Sequence, residues 1–217
     1  VPMDHFSRPV PRDTAAGFPL ATPQRPGLPA DVAGRIADLL VAAERPLVYL
    51  GGGLRRGPGL DALRSLVEHL DIPVAHSLMA KGTLPDSHPL LLGMPGFWGL
   101  ELTNRYTREA DVVLALATRF AETDASSWDN RYTWQFPPGR LIQIDIDPAE
   151  IGRNFPVAVG AVADVTDAVR AIEKAVRDRQ AAPRRREGLR ETVTATRRTL
   201  FTESRERGTS AQFPLRP

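Results

Sequence analysis

The 217-residue sequence predicts an α/β protein, an open, doubly wound parallel sheet of about six strands with helices on both faces. Three observations carry that prediction. Strand-type apolar runs alternate with helical periods along the chain, the pattern of parallel βαβ units. Runs such as "VVLAL" at 112–116 are apolar throughout, so both faces of the sheet must be covered. The first run, "PLVYL", stops at three glycines, Gly51, Gly52 and Gly53, and in such a sheet ligands lie beyond the strands' C-terminal ends.

Taken in order, residues 1–28 are rich in proline, which fixes φ and removes donors, and read as an extended arm or linker. "ADVAGRIADLLVAAE" (30–44) spaces Val32, Ile36, Leu39, Leu40 and Ala43 by three and four, a helix that Pro46 terminates. Strand "PLVYL" and the glycine loop follow. "GLDALRSLVEHL" (59–70) is a helix with Leu60, Leu63, Leu66, Val67 and Leu70 on one face, and "DIPVAHSL" (71–78) a short strand. Residues 80–99 read as loop, 100–110 as helix, 111–117 as buried strand, and 118–139 as a long polar and aromatic loop with Trp128 and Trp134. "RLIQIDID" (140–147) is a strand, "PAEIGRN" (148–154) a single turn and "VAVGAVAD" (157–164) a last short strand. "VTDAVRAIEKAVRDR" (165–179) is a helix with Val165, Val169, Ile172 and Val176 on one side.

Composition excludes several classes of function. There are no cysteines, hence no disulfides and no Cys-type zinc or iron–sulfur site; a reducing, cytoplasmic setting fits. No run of about 18 apolar residues is present to span a membrane. The start, "VPMDHFSRPVP", has neither an initiator Met nor the build of a signal peptide, and reads as the edge of a cut fragment. Net charge is +2, but from Arg177 to Arg207 ten arginines face five carboxylates. Glutamates interleave with those arginines as on a solvated helix, and Phe201 is the lone aromatic there, so nucleic acid is not the expected partner.

Several motifs carry competing readings. "GGGLRRG" (51–57) is neither the G-x-G-x-x-G fingerprint nor a Walker A loop, so it is a phosphate-holding turn or simply a tight one. Asp145 and Asp147 share a strand face and could contact a ribose or a metal; alternatively Asp147 caps the turn that Pro148 begins. His5, His69, His76 and His88 form no ligand-spaced set, and no metal site is expected. No G-x-S-x-G elbow accompanies His76-Ser77, and no catalytic residue is assigned.

The ordered series "PLVYLGGG", "IPVAHSLMAKGTLPDSHPLLLGMPG", "ADVVLALATRF", "RLIQIDIDPAEIGRN" and "VAVGAVADV" resembles the Rossmann-like central domain of thiamine-diphosphate-dependent enzymes, nearest the acetolactate synthase group, over about residues 28–177. "VPMD" and "FPLRP" at the two ends resemble the close of the preceding and the opening of the following thiamine-binding domain. The resemblance implies three segments: an interdomain arm (1–28), the central domain (29–182) and a basic helical linker (183–217). It implies thiamine diphosphate and Mg in a carboligase or decarboxylase parent, held by flanking domains of the same polypeptide, and a homodimer or homotetramer. In acetolactate synthases this domain contributes to an FAD site; other relatives bind ADP there, or nothing. The carried-over positions are Gly51, Gly52 and Gly53, Ser77, Leu78 and Met79, Gly93 and Met94, Arg119, Asp145 and Ile146, and Asp164. Two departures bear on the flavin: "GMPGFWG" stands where "GMLGMHG" is common, so Phe97 and Trp98 replace Met-His, and "RFAETD" stands for "RFDDR". The alternatives are an independent nucleotide-binding module of the same fold and a purely structural spacer. Phe97, Trp98 and Trp134 are expected to be exposed in the isolated domain and to drive association.

Overall fold

The computed structural model describes residues 3–9, 11, 24–54 and 58–209. Arg55, Arg56 and Gly57 of the glycine-rich loop, most of the proline-rich arm and the terminal "FPLRP" lie outside them.

Among the described residues, five α-helices and six strands follow in order: α1 (Ala30–Ala42), β1 (Pro46–Leu50), α2 (Leu60–Leu70), β2 (Val74–His76), β3 (Leu91–Gly93), α3 (Glu101–Glu109), β4 (Val112–Leu116), β5 (Arg140–Asp145), β6 (Val159–Val162), α4 (Val165–Arg179) and α5 (Leu189–Thr209). All strand pairs are parallel, in the order β3-β2-β1-β4-β5-β6. The chain reverses its direction of travel between β1 and β4, which run in register from Pro46 beside Val112 to Leu50 beside Leu116. This is the switch point at which an open α/β sheet leaves a crevice.

The core is where the periodicities put it. Ile36 and Leu40 of α1, Leu63, Leu66 and Val67 of α2, and Val169, Ile172 and Val176 of α4 are buried together with every residue of β1 and β4. Helix α4 packs against both α1 and α2. Asp164 caps its start, accepting from the N–H groups of Thr166 (2.9 Å) and Asp167 (3.4 Å).

Two expectations are corrected. Residues 80–99 are not all loop, because Leu91–Gly93 form the edge strand β3 beside β2. Trp134 is not exposed. It is 1% accessible and sits with Tyr49, Phe120, Phe136 and Phe155 in an aromatic cluster under the 118–139 loop. Its Nε1–H donates to the Asp124 carbonyl at 3.2 Å, so the polar end of the indole is satisfied inside the core. Phe97 and Trp98 are exposed as expected, at 78% and 66%.

The basic segment before α5 also departs from a solvated helix. Residues 184–190 form a strap across the C-terminal ends of α1 and α2. Arg184 donates to the carbonyls of Val41 (3.0 Å) and Ala43 (3.2 Å), and Arg186 to those of Leu70, Asp71 and Ala43. Helix C-termini leave such carbonyls without partners and carry partial negative charge, so guanidinium groups suit them. The carboxylate of Asp71, buried and in the left-handed conformation that ends α2, accepts from the Arg186 N–H (2.8 Å) and Arg190 Nε (2.7 Å).

Candidate functional site

Four strand-end loops meet over the switch point. Leaving β1, the Gly51 N–H donates to the Leu116 carbonyl at 2.8 Å, which holds the glycine loop against the end of β4. A Cβ on Gly51 would lie 1.7 Å from the Ala117 carbonyl oxygen, and one on Gly53 2.6 Å from the Ala117 Cβ. These two glycines are therefore demanded by close packing of neighbouring loops. Gly52 is freer, with its nearest neighbour, the Met79 Cβ, at 3.0 Å. From β2, the Ser77 N–H donates to the Leu50 carbonyl at 2.8 Å, and a short turn over Leu78–Ala80 carries Leu78 and Met79 outward, both more than half exposed.

After β4 the backbone turns left-handed at Ala117 (φ 49°) and Phe120 (φ 49°), placing the Arg119 side chain outside and the Phe120 ring in the aromatic cluster. After β5, Asp145 accepts from the Asp147 N–H (3.1 Å), while Asp147 accepts from the Ala149 N–H (2.9 Å) and caps the turn Pro148–Glu150. The capping reading of Asp147 thus holds. Gln143, buried within β5, ties these loops together. Its Nε2 donates to the carbonyls of Thr118 (3.3 Å) and Glu150 (2.8 Å), and its Oε1 accepts from the Gly152 N–H (2.9 Å).

Together the loops enclose a cleft of about 510 Å³, within the range of small-molecule sites, ~300–1,000 Å³. Gly51, Gly52, Gly53, Ser77, Met79, Arg119, Asp145 and Ile146 line it. Leu78, Gly93, Met94 and Asp164 do not. Leu78 is exposed on the same turn; Gly93 and Met94 support the 94–100 loop, where the Met94 carbonyl accepts from the Leu100 N–H at 3.1 Å; Asp164 is committed to its cap and to Arg25 Nη1 at 3.3 Å. Sequence reasoning did not find Thr118, Asp124 and Glu150, which also line the cleft. For Gln143 a signal existed: it is the lone uncharged polar residue inside an apolar strand. Burial raises the Asp145 carboxyl above its ordinary value, the charges of Glu150 and Asp147 adding to this and the N–H groups of Asp147 and Ile146 opposing it. Burial raises Asp124 too. Among the described residues no group of three or more carboxylates or histidines is arranged to hold a metal ion, and no helix is long and apolar enough to cross a membrane.

Residues 33–172 match the family model described as the thiamine pyrophosphate enzyme, central domain. The chain belongs to that family. Similar curated proteins include the acetolactate synthase of Mycobacterium bovis, 42% identical over 129 residues, covering 59% of this chain and 20% of that protein. The probable acetolactate synthase large subunit of Methanocaldococcus jannaschii is 39% identical over 136 residues, 63% of this chain and 22% of that protein. The acetolactate synthase isozyme 1 large subunit of Escherichia coli K12 is 40% identical over 132 residues, 60% of this chain and 22% of that protein. The chain thus spans only about a fifth of the length of the relatives it matches. This central domain has the six-stranded, all-parallel Rossmann-like sheet that the sequence predicts.

Proposed function

We propose that this chain is the non-catalytic central domain of an acetolactate-synthase-like carboligase or decarboxylase, and that its strand-end cleft takes FAD or ADP. One observation carries the nucleotide half of that reading: eight of the positions implied by the resemblance come from four separate strand ends and line one cleft at the switch point of the sheet. The cleft suits an adenine nucleotide in kind. Asp145 and Asp147 offer acceptors to ribose hydroxyls, Met79 and Ile146 offer apolar cover, and Arg119 offers a cation to a phosphate.

The residues do not suit thiamine diphosphate. The sequence has no Gly-Asp-Gly, the motif that holds the Mg–diphosphate in this family, so thiamine and Mg belong to the flanking domains. In this reading residues 1–28 and 183–217 are the connections to those domains, with 29–182 between them, in a cytoplasmic homodimer or homotetramer. The structural-spacer reading has its own support, since Gly51 and Gly53 are explained by packing alone.

Thermal unfolding with excess FAD, ADP, NAD or thiamine diphosphate separates these readings. A ligand at about 100 times its Kd adds ~2.7 kcal/mol of stability. A shift with FAD or ADP supports the nucleotide site. A shift with thiamine diphosphate overturns the assignment of thiamine to other domains, and no shift with any of the four leaves the spacer.

A further inference from the structure

His69, His76 and His88 are buried, and of these His88 alone has both ring nitrogens in hydrogen bonds among the described residues. Nδ1 accepts from the Leu90 N–H at 3.3 Å, closing a turn over Pro89 of the kind that an Asn or Asp side chain makes with the N–H two residues on. A ring nitrogen that accepts carries no proton, so Nε2 holds it and donates to Glu68 Oε1 of α2 at 3.1 Å. These two bonds select one neutral tautomer.

The ring sits at a corner that joins three elements. The His88 N–H donates to the Pro85 carbonyl (2.8 Å), the His88 carbonyl accepts from the Leu91 N–H (3.1 Å), and the Leu90 carbonyl accepts from the Val74 N–H (2.8 Å). The turn therefore sets how β3 enters the sheet beside β2. Helix α5 packs on β3. At its root Arg190 pairs with Asp71 through Nε, while Arg190 Nη2 is buried with no partner among the described residues. The Glu68 carbonyl accepts from Arg185 Nη1 of the strap at 3.0 Å. Beyond the corner, β3 runs through Gly93 into the loop of Phe97 and Trp98.

Protonation sets these contacts against one another. The charged groups that act on the ring are Glu68 and Arg64 from α2 and Arg190 from α5. Glu68 favours a charged ring, but its side chain is 46% exposed and solvent screens the attraction. Against it, a proton on Nδ1 takes away the acceptor of the Leu90 N–H, in a residue with no exposure, and puts charge on a ring that is 6% exposed beside two guanidinium groups. Burial is the largest influence and holds the imidazole below its ordinary 6.5. The folded state thus binds this proton less tightly than the unfolded one, and the stability that follows is present above 6.5 and lost as pH falls.

We propose that His88 is an acid-released latch: its neutral ring ties the entry of β3 to α2 beside the root of α5, and a proton on Nδ1 opens that corner, loosening β3 and the start of α5 together while the centre of the sheet stays closed.

Hydrogen exchange of the full chain, followed by NMR at about pH 7.5 and about pH 5.5 and corrected for intrinsic exchange, tests this in wild type and His88→Asn. The asparagine Oδ1 can replace Nδ1 in the same turn and does not titrate. In wild type, protection at Leu90–Leu92 and Arg190–Val193 should fall by about fivefold or more on acidification, the effect of one lost hydrogen bond, with β4 unchanged. Nitrogen-15 shifts should place the proton of the neutral ring on Nε2 and show the ring titrating below 6.5. In His88→Asn both segments should keep the same protection at the two pH values. An equal loss in His88→Asn, a loss shared by β4, no loss in wild type, or a neutral ring with its proton on Nδ1 overturns the latch. If circular dichroism shows that the variant does not fold, the wild-type tautomer and exchange pattern still decide.

Discussion

The two ends of the sheet obey opposite rules. Where the strands begin, the strap of Arg184, Arg186 and Arg190 meets the orphan carbonyls of α1 and α2 and the buried Asp71 carboxylate, so polar groups are paired and the helix ends are closed. Where the strands finish, the loops carry left-handed residues that are not glycine, at Ala117, Phe120, Ser126, Ser127 and Trp128. They also carry buried carboxylates held above their ordinary values and exposed aromatic rings, among them Phe97 and Trp98. Left-handed backbone of that kind costs about 1 kcal/mol or more per residue, and it persists where surrounding structure imposes it. One end of the fold is built for stability and the other keeps strain and charge for a ligand.

The sharpest way to break that comparison is at the closed end. Asp71→Ala removes both carboxylate oxygens that the strap uses, strands the Arg190 guanidinium and puts alanine at φ 53°. Loss of one partner of a buried pair costs ~3–5 kcal/mol, and the partial exposure of Arg190 puts the expected value near the low end, about 3 kcal/mol. Asp71→Asn keeps an acceptor and tolerates the left-handed backbone, so it should recover about half of that loss. Chemical denaturation reads both. A loss under about 1 kcal/mol for the alanine variant would mean that the strap lies on the domain without stabilising it.

The open end is tested by its glycines. Gly51→Ala drives a Cβ into the Ala117 carbonyl and should cost about 2 kcal/mol or more. Gly52→Ala meets the Met79 Cβ at 3.0 Å, with the Met79 backbone no nearer than 3.7 Å, and should cost about 1 kcal/mol or less. Equal losses would show that the loop is one rigid unit instead of two packing glycines around a freer one.

How far the sequence could be read differs between the two ends for physical reasons. Helices and central strands were legible because burial imposes a period: Leu63, Leu66, Val67 and Leu70 mark α2 whatever surrounds it. Strand β3 was not. Three apolar residues after a proline at the edge of a sheet make no period, and "PLLLGMPG" reads equally as loop. The strap was hidden because most of its partners are main-chain carbonyls, which have no side-chain signature, while its interleaved Arg and Glu mimic a solvated helix. Trp134 was misplaced because the aromatic cluster is assembled from an irregular loop, where no spacing announces which ring turns inward. At the cleft, glycines and acids at strand ends could be located from the sequence. That Gly51 and Gly53 are occupied with Ala117, and that Arg153 shares a pocket with Arg119, depends on how adjacent loops bend.

Charge at the open end gives a smaller, pH-dependent effect. Burial holds the Asp145 carboxyl above 3.8, so the folded state binds its proton more tightly than the unfolded state does. That preference stabilises the fold below the ordinary value and is lost as pH rises through the raised one. Asp145→Asn removes the charged form, so it should raise Tm at about pH 7 and change it little at about pH 3. If Asp145 serves a ligand, the same variant should lose any FAD- or ADP-induced shift, the exchange of stability for function expected at a strained site. A lower Tm at neutral pH would instead make Asp145 a structural acceptor for the Asp147 N–H first of all.

The smallest expected change in stability is at the aromatic pair. Phe97 and Trp98 stand edge to face with centroids 6.4 Å apart on a loop that spends much to hold them outward. Asn104 Oδ1 accepts from the Gly96 N–H (2.8 Å), its Nδ2 donates to the Gly96 carbonyl (3.2 Å), and the Phe97 N–H donates to the Thr123 carbonyl (2.9 Å). Gly96, at φ 93°, has no room for a Cβ beside Thr123. Because this framework uses backbone and Asn104 and not the rings, the double variant Phe97→Ser, Trp98→Ser should unfold within about 0.5 kcal/mol of wild type. Its self-association, followed by sedimentation velocity across a concentration series, should fall, since a fixed exposed apolar pair is the kind of surface that draws proteins together. Unchanged self-association would move the sticky surface elsewhere, and a large loss of stability would show that the rings hold the loop instead of the loop holding the rings.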